Sequence, residues 1–115
     1  MMLRNLQRIA GVLIALQGAG HTFLGTPTFF DAVSQHAIWF AGAGLGMIFL
    51  GLLNLAPVTG YPTWLRWGIV LGNFAWLVLM MALVSTSQSV RTVLAMVFTA
   101  GCAVGSIGSV AGRRL

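Results

Sequence analysis

Four long apolar stretches, separated by short polar connections, leave this chain almost no choice of solvent. The first is read from "IAGVLIALQGAGHTFLG", preceded by Arg4 and Arg8. The second is "AIWFAGAGLGMIFLGLLNLA", the third "WLRWGIVLGNFAWLVLMMALV", and the fourth contains "TVLAMVFTAGCAVGSIGSVAG". Each is close to the roughly 20 residues that a helix needs to cross the hydrocarbon core. The expected spans are residues 7–25, 37–56, 64–84 and 90–111, in one transmembrane domain covering 1–115. The second run stops at Pro57, which cannot continue a helix.

Charge makes the same point. Only 6% of the 115 residues are charged and 58% are hydrophobic. A water-facing globule carries about a quarter charged residues, so six arginines and one aspartate cannot cover one. The net charge of +5 does not point to nucleic acid, because the arginines lie between apolar runs, where topology determinants belong. A strand reading fails: alternation of period two is absent and the segments are about twice the length of a barrel strand. The fold class is therefore all-α, an integral-membrane four-helix bundle whose solvent and first partner is the lipid bilayer.

An even number of spans puts both termini on one side. That side carries Arg4, Arg8, Arg66, Arg113 and Arg114, and the other carries Arg91. The positive-inside rule then makes the termini cytoplasmic and the protein a multi-pass component of a bacterial inner membrane. The use of Arg with no Lys is in keeping with a GC-rich bacterial genome. "TPTFFD" and "STSQS" become the outer loops, and "PVTGYPT" is the inner connection. Trp39 at the outer border, and Tyr61, Trp64 and Trp67 at the inner border, fit aromatic belts. Arg4 and Arg8 before a short apolar core also resemble a signal peptide. The run continues through "HTFLG", however, and "QGAG" is a poor cleavage site.

Glycine marks the faces on which helices approach. Gly42/Gly46, Gly68/Gly72, Gly101/Gly105 and Gly108/Gly112 are small-xxx-small pairs, each making a flat strip about one turn long. They serve either packing within one bundle or the face of a homodimer or larger membrane complex. Cys102, alone and in an apolar run, reads as a small buried hydrophobe.

Both histidines and the only acidic residue fall between Gln17 and His36. Gln17 and His21 are four apart and share a helix face. Facing lipid would be costly, so they are expected to face the bundle. Asn73, in the third span, and Thr99, in the fourth, are the expected companions. Together the four make either an interhelical hydrogen-bond clasp or a small polar cavity open to the outside. His21, His36 and Asp31 are too few for a structural metal site, which takes four ligands, so no metal and no cofactor is expected. Paired acids, a phosphate loop and a Cys–His pair close in sequence are all absent. No span holds the carboxylate that a proton-coupled exporter needs.

"GAGHTFLGTP" followed by "WFAGAGLGMIFLGLLNL" resembles the DoxX-like small bacterial four-helix membrane proteins, over most of the chain. The resemblance rests on glycine and histidine at the end of helix one, a Pro-containing outer loop and a glycine-rich second helix. Some members are linked to respiratory or redox complexes, so the resemblance implies an accessory role in the membrane. Helix one here lacks the buried charge that some members carry, and no site residue is carried over. The expectation is a non-catalytic accessory or assembly subunit. The alternatives are a transporter or channel for a small neutral solute, with its path past Gln17, His21 and Asn73, and a haem or quinone redox protein.

Overall fold

A computed structural model describes residues 1–56 and 60–111; Pro57, Gly112, Arg113 and Arg114 lie outside the described residues. Every apolar run is a helix, and the described residues contain no strand. Helix α1 (Met2–Ala19) passes directly into a π-helical turn (Gly20–Gly25) and a short α2 (Thr26–Phe29). Helices α3 (Gln35–Leu55), α4 (Thr63–Thr86) and α5 (Val90–Ala111) follow. Four of these stretches are long and apolar enough to cross a membrane, the first running unbroken from Met2 to Phe29. In an 18-residue window of each stretch, only 22–33% of the residues are buried inside the bundle. The remaining apolar surface requires lipid or partner helices, because water would not tolerate it. The protein is thus a multi-pass helical bundle.

Only the fourth span has the expected bounds. The first starts at Met2 rather than residue 7, the second ends at Leu55 rather than residue 56, and the third runs Thr63–Thr86 rather than 64–84. The first span reaches Phe29 rather than residue 25, and α3 starts at Gln35 rather than Ala37, so "TPTFFDAVSQH" is mostly helical. The cause is local. Ser34 caps α3, its hydroxyl accepting from the Ala37 amide at 3.1 Å. At the other boundary, proline lacks an N–H, and its ring crowds the carbonyl four residues back. Just before Pro27 the helix widens, and the Thr26 amide donates five residues back to the His21 carbonyl. The wider turn absorbs the proline without ending the helix.

Glycine decides which helices touch. Gly11 and Gly18 lie two turns apart on α1 and meet Gly51 and Gly44, two turns apart in the reverse direction on α3. A methyl group on Gly51 would sit 2.5 Å from the Gly11 carbonyl oxygen. One on Gly18 would sit 2.6 Å from the Gly44 carbonyl oxygen. On the other side of α1, α5 presents Gly101, Gly105 and Gly108 to Ala10, Gln7 and Leu3. Helix α1 is therefore the centre of the array, packed on α3 and α5, with α4 on α5. Helices α3 and α4 meet sparsely, through larger side chains such as Leu50 and Trp76. The antiparallel registers bring Leu3 against Gly108, so the start of α1 and the end of α5 share one end of the bundle.

The other expected glycines lie elsewhere. A methyl on Gly42 or Gly68 would meet nothing within 4 Å, on Gly46 it would touch Trp76 at 3.5 Å, and on Gly72 it would reach Leu50 only at 3.9 Å. Spacing marks a flat face but not its direction, and α3 turns Gly44 and Gly51 inward instead. The apolar core is built from Ala10, Ile14, Met47, Met80, Ala95 and Cys102.

Candidate functional site

Two groups of polar side chains stand at different levels of the bundle. At the level nearer the termini, Gln7, Asn54 and Asn73 are almost wholly buried. Gln7 Nε2 donates to Asn54 Oδ1 at 3.0 Å. Asn54 and Asn73 pair reciprocally, each Nδ2 donating to the other's Oδ1 at 2.8 Å. Asn54 Nδ2 also donates to the Leu50 carbonyl at 2.8 Å, and Asn73 Nδ2 to the Cys102 carbonyl at 3.3 Å. One residue from each spanning helix therefore enters a single knot. At about 0.6 kcal/mol per interhelical bond in a membrane, its four interhelical bonds contribute about 2–2.5 kcal/mol.

Asn73 thus belongs to this clasp and does not join Gln17 and His21. Thr99 is fully buried but donates to the Ala95 carbonyl of its own helix at 2.7 Å, so it joins neither group. Gln7 and Asn54 were not among the expected site residues. Gln7 stands between Arg4 and Arg8 and looks like headgroup flank. Asn54 sits in the last turn of its span. The available signal was an amide residue in a turn that otherwise faces inward.

The second level, toward the far end, holds Gln17, His21 and Arg91. A cleft of about 380 Å³ opens there between the widened turn of the first span and the start of α5, lined by Gln17, Gly20, His21, Leu24, Phe29 and Arg91 among others. Its wall is fixed by aromatic contacts. The His21 ring stacks on Phe40 with centroids 3.7 Å apart and planes 18° off parallel. Phe29 and Phe30 meet Phe40 edge-on at 5.9 and 5.4 Å. The π-helical turn supplies the register that sets His21 over Phe40, and Thr22 Oγ1 ties the turn to α3 by donating to the Ala41 carbonyl at 3.0 Å.

Gln17 is oriented by its own hydrogen bond, Nε2 donating to the Arg91 carbonyl at 2.8 Å. That leaves its Oε1 buried with no partner among the described residues. The Arg91 guanidinium lies over the Phe29 ring, 5.5 Å from its centroid, at the exposed rim. The cleft therefore offers a permanent cation at its mouth, apolar walls and an unused acceptor inside. It suits one amphipathic group carrying an anion and a hydrogen-bond donor.

The structure does not bring His21, His36 and Asp31 together. His36 and Asp31 are exposed, and Asp31 lines a separate shallow recess with Phe30 and Thr22. Among the described residues, no group of three or more His, Cys, Asp or Glu converges. Family models, curated proteins and solved structures yield no match to this chain.

Proposed function

We propose that this is a bacterial inner-membrane protein with cytoplasmic termini that works by binding rather than turnover, as an accessory subunit of a membrane complex or homodimer. The far-end cleft, facing the periplasm, is its recognition site. One observation carries the reading: the polar groups are split between a clasp that is fully engaged and a cleft that is not. The clasp spends Gln7, Asn54 and Asn73 on holding four helices together. One turn below Gln17 on α1, Ile14 is fully buried in the apolar core and does not line the cleft. The groups of the cleft suit recognition: a cation, an imidazole and an amide acceptor. The resemblance to DoxX-like proteins supports the same role.

Photocrosslinking in intact membranes tests it. A benzophenone side chain at Leu24, in the cleft, should give one discrete adduct that Arg91→Gln weakens. The same group at Leu71, exposed on α4, should give only diffuse lipid adducts. Identical patterns from both positions would contradict the reading, as would saturable solute flux in proteoliposomes.

A further inference from the structure

The end of the bundle that carries the termini holds a second, separate feature. Arg4 and Arg8 are exposed there, whereas Arg66, in the first turn of α4, is only 5% exposed. Its Nε has no hydrogen-bond partner among the described residues, and Nη2 reaches Thr63 Oγ1 only at 3.4 Å. Arginine does not shed its proton. The chain's single carboxylate side chain, Asp31, is exposed at the opposite end of a body 53 Å long. A buried charge without a partner is strongly unfavourable, so the counter-charge comes from outside the described residues.

The surroundings favour an anion. The bond to Thr63 shows the guanidinium folded back on the N-terminal turn of α4, where the helix dipole is positive. Pro62, preceding the helix, supplies no side-chain cap, and the first turn contains no acid. The exposed rings of Trp64 and Trp67 flank the same turn, the pattern of residues at headgroup depth. A guanidinium fork and a helix N-terminus are the two protein groups best matched to phosphate oxygens. We propose that Arg66 and the first turn of α4 form a phosphate site, occupied in the membrane by the phosphodiester of one phospholipid. Enclosure distinguishes it from the diffuse attraction of exposed arginines for anionic lipid, because a nearly buried fork holds a single phosphate.

Protein delipidated in a maltoside detergent tests this with three additives: a short-chain phosphatidylglycerol, the matching diacylglycerol without phosphate, and inorganic phosphate. The phospholipid should raise the unfolding temperature and persist as a single adduct in native mass spectra, and the diacylglycerol should do neither. Arg66→Met should lose the response and bind the phospholipid about tenfold or more weakly, the effect of removing a charge-assisted contact. In lipid-free detergent the same variant should equal or exceed wild type in stability, because it removes a buried charge. Arg66→Lys keeps the charge without the fork and should give a reduced response. An equal shift with inorganic phosphate alone upholds the phosphate site and overturns the lipid as its source. Two results overturn the proposal outright: Arg66→Met less stable than wild type without lipid, or an unchanged phospholipid response in both variants.

Discussion

Replacing the clasp residues one at a time with leucine should give a ranked series, and the ranking follows from which partners each change strands. Asn73→Leu removes three interhelical bonds, two with Asn54 and one with the Cys102 carbonyl. Each Asn54 atom keeps another partner, Oδ1 through Gln7 and Nδ2 through the Leu50 carbonyl. The cost is then the bonds themselves, about 2 kcal/mol at about 0.6 each. Asn54→Leu also removes three interhelical bonds, but it leaves Gln7 Nε2 and Asn73 Oδ1 buried without their partners. Stranded buried groups cost about 1–3 kcal/mol each, so together with the lost bonds this variant should lose about 4–8 kcal/mol. Gln7→Leu breaks one bond and should cost about 1 kcal/mol or less. The Asn54→Leu/Asn73→Leu double variant should lose clearly less than the two singles combined, since both halves of the pair go together. Reversible unfolding in mixed detergent micelles reads all four values. Equal losses across the singles, or additivity of the double within about 0.5 kcal/mol, would refute a connected clasp.

Other consequences are checked more briefly. Gly51→Ala and Gly105→Ala should each cost about 1–3 kcal/mol, because the methyl would lie 2.5 Å from the Gly11 carbonyl oxygen or 2.6 Å from Gln7 Cβ, whereas Gly68→Ala meets nothing and should be neutral. Gly60 is no neutral control: its φ of 99° is left-handed, and Gly60→Ala should lower thermal stability by about 1 kcal/mol. His21→Leu should destabilise by about 1 kcal/mol through loss of the Phe40 stack, while His36→Leu, on an exposed site, should leave the melting temperature unchanged. Fusions at the C-terminus should make a cytoplasm-only fluorescent reporter glow and leave a periplasm-dependent phosphatase inactive.

The four spans were legible because composition and run length decide them with little help from tertiary structure. Their ends were less so. Ser34 before "QHA" was a readable cap, but the helix through "HTFLGTPTF" depends on a π-helical turn that no propensity announces. The glycine pairs show the limit most clearly. Gly101/Gly105 does line a contact, while Gly42 and Gly68 have the same spacing and face away, since spacing is indifferent to rotation about the helix axis. The single glycines Gly11, Gly18, Gly44 and Gly51 carry the tightest crossing at a two-turn interval. Gln17 and His21 do share one cleft, as their four-residue spacing implied. Asn73 went to Asn54 instead, because α3 and α4 touch only sparsely and their relative register follows from the packing of α3 on α1 and of α4 on α5.

The division into an open cleft and a sealed interior is tested most directly by cysteine accessibility in intact cells. In a Cys102→Ala background, single cysteines at Gly20, Thr28 and Thr99 are exposed to a membrane-impermeant maleimide added from outside. Gly20 and Thr28 line the cleft, and Thr99 is fully buried. Positions 20 and 28 should label from outside, and position 99 should label neither from outside nor in inverted vesicles. Labelling at 99 from either side, or protection of 20 and 28 from the outside, would contradict it.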